Sequence, residues 1–314
     1  MPAAHNIEEK YINGIKVDKE DDVVAFNDEK HLYFNKTTFE TYISVTQILN
    51  LYSQEFDEFF WSGYKALEEI LDAETWKVVK KTLLATKKLN PKLITKLNVD
   101  ENLFLETQNR IRDEYAKKKK EATDRGTKIH LDRELAMYGR NKYDFTKYGF
   151  ADLYGEFECI QNHNRLDLSN GVYPEFLISA DFDGLMLVGQ ADIIISRGND
   201  IYIGDYKSNR KIDVKSYYNP QTKKYVMMKP PLDHLMDCSL VHYQLQLSCY
   251  ARMLQQRNPD LNIKQLQIIH IDHDNQEHFY TVDYLKDDVE KMISHFRRQQ
   301  KIKSELDALK PVIV

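Results

Sequence analysis

Cysteine is scarce in this chain of 314 residues, and the few cysteines are not spaced for the usual cysteine chemistry. Cys159, Cys238 and Cys249 form no C-x-x-C pair of the kind that binds zinc, and they fit no disulfide framework. Long apolar runs are also missing, because no stretch reaches the roughly 18 residues of a membrane span. The polar, acidic N-terminus is untypical of a signal peptide. These absences predict a cytoplasmic protein without a membrane partner.

Glycine and proline are rare between residues 57 and 125. That segment contains one glycine, Gly63, and one proline, Pro91, among many Lys, Glu, Leu and Ala residues. With so few helix breakers, the composition predicts several helices over 57–139, one of them long. Apolar residues at a spacing of three to four predict a further helix over 148–165.

The N-terminal part and the second half of the chain carry β-type patterns instead. Two short β-rich runs near the N-terminus predict a hairpin, and Ser44 followed by Gln47 has the spacing of a helix-capping box. Later β-rich runs separated by turn residues predict three successive antiparallel strands, then a helix, two strands and a closing helix. The sequence therefore predicts an α/β (α+β) fold with a central mixed sheet flanked by helices. The runs are 22–26 and 31–34 for the hairpin, 172–180, 185–195 and 201–207 for the three strands, 239–257 for the helix, 265–272 and 278–283 for the later strands and 285–308 for the closing helix.

Two carboxylates fall on neighbouring strands of the predicted sheet. Asp192 ends Gly-Gln-Ala-Asp, and Asp205 begins Asp-Tyr-Lys on the next strand. Side chains alternate across a strand, so Asp205 and Lys207 share a face while Tyr206 points away. Two buried carboxylates are costly unless a cation joins them, and oxygen ligands favour Mg²⁺ or Mn²⁺. The pattern indicates metal-assisted phosphodiester hydrolysis, although a salt-bridged strand end would produce the same residues.

Five motifs in order resemble the RecB-like branch of the PD-(D/E)XK nuclease superfamily, which includes phage exonucleases and the mitochondrial genome maintenance exonuclease. The resemblance implies a nuclease core over residues 121–314, preceded by an N-terminal hairpin and helical cap over 1–120. The likeness covers residues 31–50 and 125–255. The motifs are Arg125-Gly126-Thr127-Lys128-Ile129-His130, Tyr173-Pro174-Glu175, Gly189-Gln190-Ala191-Asp192, Asp205-Tyr206-Lys207 and Gln246-Leu247-Ser248-Cys249-Tyr250.

The resemblance also implies a role for each matching residue. His130, Asp192, Asp205 and the Tyr206 carbonyl would bind the metal, and a nitrogen ligand favours Mn²⁺ over Mg²⁺ somewhat. Lys207 would be the catalytic lysine, and Glu175 would lie beside the metal through water or a second ion. The helix face with Gln246 and Tyr250 would hold DNA, although the same residues fit an ordinary core stripe. Likewise, a lone histidine in a helix, such as His130, is often a structural residue rather than a metal ligand.

Iron–sulfur chemistry is excluded by the cysteine count. The related Cas4-like nucleases need four cysteines for their cluster, one upstream and three near the C-terminal end. This chain has three cysteines, and none follows residue 249. The prediction is therefore a nuclease without an iron–sulfur cluster.

The net charge of −5 conceals two strongly basic segments. Residues 76–98 contain seven lysines and no acid, and residues 207–229 contain seven basic residues and one acid. Such segments attract a polyanion, although a lysine-rich helix is also typical of a solvated face. Lys128, Arg210 and Lys211 are predicted DNA contacts.

Together these features predict a metal-dependent DNA exonuclease in replication, recombination or repair. It would act on strand ends, with single-stranded DNA favoured over duplex ends, and replication or recombination proteins are candidate partners. Two alternatives stay open: a structure-specific endonuclease of the same fold, or a non-catalytic DNA-binding recombination module. A phage origin would place the protein in the host cytoplasm.

Overall fold

A computed structural model describes residues 9–138, 142–150, 153–160, 168–220 and 222–309 of the chain. Two compact units are present: a sheet unit formed by 1–54, 129–217 and 225–314, and a helical unit formed by 55–128 and 218–224. The predicted boundary at residue 120 differs from this division, because the N-terminal hairpin belongs to the sheet unit.

Seven α-helices and fifteen strands are assigned among the described residues. The helices are α1 (Val45–Tyr52), α2 (Glu58–Ile70), α3 (Ala73–Thr86), α4 (Pro91–Lys96), α5 (Glu101–Met137), α6 (Ser239–Arg257) and α7 (Lys286–Leu309). The strands are β1 (Lys10–Ile12), β2 (Ile15–Val17), β3 (Lys19–Glu20), β4 (Val24–Asn27), β5 (Leu32–Asn35), β6 (Ile43–Ser44), β7 (Lys142–Asp144), β8 (Tyr154–Glu156), β9 (Gly171–Phe182), β10 (Leu185–Arg197), β11 (Asp200–Lys207), β12 (Tyr218–Asn219), β13 (Lys224–Tyr225), β14 (Asn262–Ile271) and β15 (Glu277–Val282).

The central sheet is mixed, as the sequence predicts. Strands β9, β10 and β11 are successive and antiparallel, and β14 adds to β11 in parallel. Strand β15 closes one edge antiparallel to β14, while β6 pairs in parallel with the first half of β10. The parallel β11–β14 step is possible because α6 forms the crossover between these strands.

Helices cover one face of this sheet and a hairpin covers part of the other. Apolar residues of α1, α6 and α7 pack with inward residues of β9, β10 and β11 into the largest core. On the opposite face, Phe26 and Tyr33 of the β4–β5 hairpin pack against Leu177 and Val188. This packing is why the hairpin belongs to the sheet unit rather than to a separate cap.

The helical unit has its own core, in which residues of α2, α3, α4 and α5 meet. Helix α5 is the long helix that the sequence predicts, with 37 residues, and its last turns from Ile129 onward belong to the sheet unit. Among the described residues, no helix combines the length and apolar content needed to cross a bilayer.

The helix predicted over 148–165 is wrong for the described residues. A short 3₁₀ turn covers Phe145–Tyr148, and β8 occupies Tyr154–Glu156 instead. Residues 151–152 and 161–167 lie outside the described ranges. Phe150, Leu153 and Phe157 are indeed buried, within a core against β10 and β11. The spacing of apolar residues in this segment thus indicates which side chains are buried, but it does not indicate a helix.

Candidate metal centre

The candidate site lies at a fork in the central sheet. The β10–β11 ladder ends at the pair Ile193–Gly204, and the β10–β6 ladder covers Leu187 and Val188 on the same edge. The stretch 189–192 lies between these two partners. There the Asp192 Oδ2 accepts the Tyr206 backbone N–H at 2.5 Å. The Asp192 side chain therefore takes the place of a main-chain hydrogen-bond acceptor where β10 and β11 separate.

Strands β9 and β10 both change phase at this point. In β9, Tyr173 and Phe176 face the same core, and in β10 so do Ala191 and Ile194. Side chains on one face of a regular strand are two residues apart. A spacing of three between residues that face the same core therefore means that the alternation slips by one residue. Glu175, at the β9 slip, has a left-handed backbone with φ 48°. Such a conformation is rare for a residue other than glycine and clusters at functional sites.

The slipped strands bring Glu175 and Asp192 to one histidine of α5. His130 Nδ1 lies 3.2 Å from Glu175 Oε1 and 3.3 Å from Asp192 Oδ1. Each of the three residues offers one ligand atom within 4.8 Å of the other two. Both carboxylates are buried, whereas one third of the His130 side chain is exposed. Solvent can therefore reach this group of three residues at His130.

Charge interactions dominate the protonation of this cluster. The Asp192 carboxylate, assisted by Glu175, raises the pKa of His130 to about 11, although burial acts in the opposite direction. Burial would raise the pKa of Asp192, but the His130 and Lys207 charges outweigh it and hold that pKa below its ordinary value. With this arrangement alone, His130 is a cation between two carboxylates at neutral pH.

Asp205 lies in the same cavity but has different partners. Its Oδ2 is 2.6 Å from the Lys207 Nζ, and its Oδ1 accepts a bond from Gln246 Nε2 at 3.3 Å. Lys207 also donates to Gln246 Oε1 at 3.1 Å and lies 4.7 Å from the Tyr243 ring centre. Burial, reinforced by Asp192, raises the pKa of Asp205 to about 6 despite Lys207. Asp205 is thus not one of the three grouped ligands, and its predicted metal role stays a prediction.

Helix α6 approaches the fork closely. Gln246 Nε2 donates to the Tyr250 hydroxyl at 3.0 Å, so both residues belong to one hydrogen-bonded chain with Asp205. A Cβ added to Gly189 would lie 2.6 Å from Tyr250 Cε1, which explains why glycine occupies this position. Tyr250 is buried, so it contributes packing and a hydroxyl rather than an exposed ring.

Two residues at the site were missed by the sequence interpretation. Gln190 donates through Nε2 to Glu175 Oε2, and its place on the Asp192 face was the available signal. Lys19 of β3 donates to the Glu175 backbone carbonyl at 3.1 Å and lies 3.8 Å from its carboxylate. No local pattern marks Lys19, because it is 156 residues away in sequence. Lys19 therefore holds the strained Glu175 from a strand of a separate small sheet.

These groups fit a hard divalent ion. Two carboxylates and an imidazole are a common donor set for such ions in proteins. In addition, the Gln190 Oε1 is buried and receives no hydrogen bond from any described residue. An unpaired buried carbonyl oxygen is costly unless a cation or water satisfies it. His130, Glu175 and Asp192 could therefore hold a metal, with Gln190 beside them.

The remaining predicted contacts are spread more widely. The Tyr206 ring is buried in the core on the opposite face, as predicted, and its carbonyl stays a predicted ligand. Arg210 and Lys211 are exposed just after β11, where Lys211 pairs with Asp213 at 2.6 Å. Lys128 is exposed on α5 within the helical unit. Their contact with DNA stays a prediction.

Comparisons with known proteins give only distant structural similarities. No family model and no curated protein matches the chain. The protein SSO0001 is similar in structure with a TM-score of 0.30 and 14% identity, over 59% of this chain and 66% of that one. A protein from Eubacterium rectale, provisionally named an exonuclease, has a TM-score of 0.31 and 12% identity over 84% of this chain and 82% of its own. At these values the likeness does not extend to function, and the interpretation depends on the residues of the site itself.

Proposed function

We propose that this protein is a metal-dependent nuclease of the PD-(D/E)XK type that hydrolyses DNA at strand ends. The observation that supports the proposal most is the convergence at the sheet fork. Three side chains of ligand type, His130, Glu175 and Asp192, line one cavity with Asp205 and Lys207. The cavity thus gathers a half-buried lysine, three buried acids and a partly exposed histidine in one place, and such clusters of charged groups in a cavity are typical of functional sites.

Mg²⁺ or Mn²⁺ is the proposed ion. A bound divalent ion supplies Lewis-acid stabilisation of charge on a phosphate. The protein contributes the positions of the ligands: β9 and β10 fix two carboxylates, and α5 fixes the imidazole. Gln190 and Lys19 hold Glu175 in place from two sides.

Lys207 is the proposed catalytic lysine. Its ammonium group is held by Asp205 and Gln246, and the side chain lines the same cavity. Burial lowers the pKa of this lysine, but the Asp205 and Asp192 charges outweigh it and keep the pKa above its ordinary value. Lys207 is therefore positively charged at neutral pH. A fixed cation in a partly dehydrated site stabilises negative charge as it develops on phosphate oxygens.

The test compares end-labelled linear and circular single-stranded DNA in the presence of Mg²⁺ or Mn²⁺. We expect ion-dependent degradation of the linear strand only. Asp192→Asn should abolish it, whereas Asp274→Asn, which changes an exposed turn carboxylate, should retain it. Cleavage of circles would indicate an endonuclease instead. Metal and DNA binding without any cleavage would indicate a non-catalytic module.

A further inference from the structure

The cavity at the fork has a second wall that the proposed chemistry does not use. It measures about 200 Å³, and besides the candidate metal ligands it is lined by three aromatic residues of the β4–β5 hairpin, Phe26, His31 and Tyr33. Phe26 and Tyr33 are partners in the hairpin ladder, with stacked rings 4.5 Å apart. Both are almost completely buried. They form the base of this wall.

The His31 ring lies on that base and is exposed. It meets the Phe26 ring at 5.6 Å and the Tyr33 ring at 6.0 Å, edge to face in both cases. No described residue forms an ion pair with it in the structure. His31 is therefore an aromatic group that is supported by two rings, open to solvent and present in the cavity of the metal centre.

The turn that carries His31 is held in a specific conformation. His31 has a left-handed backbone with φ 48°, and its N–H donates to the Asp28 carbonyl at 3.1 Å. Asn27 Oδ1 accepts the Lys30 N–H, and Asp18 Oδ2 accepts the Asp28 N–H, each at 2.8 Å. These bonds offset the backbone strain of the turn, and the contacts with the Phe26 and Tyr33 rings orient the His31 ring. A ring fixed before binding loses little conformational entropy when it contacts a ligand.

We propose that His31, supported by Phe26 and Tyr33, stacks on an unpaired nucleobase of the nucleotide next to the phosphate at the metal centre. This inference rests on the proposed nuclease function and names part of its substrate site. Stacking on an aromatic ring is tolerant of sequence because every base has a flat π face. A base within a duplex is already stacked and paired, so it must first separate from its neighbours. The wall therefore favours single-stranded or frayed ends.

The test uses pairs of single-stranded oligonucleotides. Within a pair, one of the terminal three nucleotides carries either its normal base or an abasic analogue. Two variants separate the contribution of the His31 ring from that of its backbone conformation. His31→Asn removes the ring but keeps a residue that tolerates the left-handed conformation, and His31→Phe keeps a ring. Tyr154→Ala removes a strongly exposed aromatic residue elsewhere in the sheet unit as a control.

We expect the abasic analogue to lower kcat/KM of the wild type about 5- to 150-fold at one of these nucleotides. His31→Asn should lose a similar factor on intact DNA and nothing more on abasic DNA, while His31→Phe and Tyr154→Ala keep the wild-type discrimination. A loss that is equal on both substrates would assign His31 a structural role and overturn the proposal. Wild-type indifference to the abasic analogue at all three nucleotides would overturn it too.

A binding measurement separates this inference from the nuclease proposal. In EDTA, 2-aminopurine is placed in turn at each of the terminal three nucleotides, and at one of them it should lose fluorescence when the wild type binds, but not when His31→Asn binds. Quenching without cleavage in Mg²⁺ or Mn²⁺ would contradict the nuclease proposal and support the stacking site. Cleavage without any difference in quenching between these two proteins would contradict the stacking site alone.

Discussion

Metal binding at the fork should release a proton, because the histidine of the cluster must lose its charge. The two carboxylates within 3.3 Å of His130 Nδ1 raise its pKa to about 11, so the imidazole is protonated at pH 7. A metal ligand must be neutral imidazole. Each bound ion therefore displaces one proton, and the Kd for Mn²⁺ should fall about tenfold for each unit of rising pH.

Isothermal titration calorimetry from pH 6.5 to 8.5 measures both quantities. In two buffers with unlike heats of ionisation, the observed enthalpies should differ by the heat of one proton per ion. A further series from pH 5 to 6.5 tests Asp205, whose pKa is about 6. If Asp205 is also a ligand, as the resemblance implies, the pH dependence of Kd should steepen there, because a second proton must then leave. His130→Asn is the matched control, since its weaker binding should show no proton release. A wild-type Kd that is constant from pH 6.5 to 8.5 would refute the reasoning.

Three further changes test individual contacts. Lys207→Met should lower the nuclease rate about 100-fold or more while Mn²⁺ binding in calorimetry is retained, and loss of Mn²⁺ binding would contradict its separation from the metal ligands. Lys19→Met should weaken Mn²⁺ binding about tenfold by releasing Glu175, with Lys19→Arg as the control that keeps the cation; unchanged binding in Lys19→Met would refute this support. Gly189→Ala should reduce the free energy of unfolding in urea by about 1–3 kcal/mol through the close contact with Tyr250. An equal cost in a Tyr250→Leu background would exclude that contact as the cause.

Much of the sheet could be predicted from sequence because its signals are local. Strands β9, β10 and β11 alternate or run apolar between turn dipeptides such as Asp183-Gly184. The Ser44 capping box is also local, and both of its hydrogen bonds are present in the structure. Asp192 and Asp205 could be brought together by alternation, since the hairpin register places their strands side by side.

The geometry of the site could not be predicted in the same way. Alternation assumes an unbroken pleat, whereas β9 and β10 slip by one residue at Glu175 and Asp192. That slip places Glu175 directly beside His130, a contact that alternation alone does not predict. Its predicted place beside the metal, through water or a second ion, stays a prediction. The contact of Lys19 with Glu175 depends on packing of distant segments, which no local pattern records.

The proposed metal centre forms only when distant segments of the chain have come together. Its three ligands come from separate elements, and His130 and Glu175 are 45 residues apart in sequence. An unfolded chain therefore has no preformed group that could bind an ion with comparable strength, so ion binding is coupled to completion of the sheet. An ion that binds only the folded state raises stability with the logarithm of its concentration. If the site binds Mn²⁺, the ion should thus stabilise the folded chain as well as serve as a cofactor, and the midpoint of unfolding in urea should rise with the concentration of free Mn²⁺.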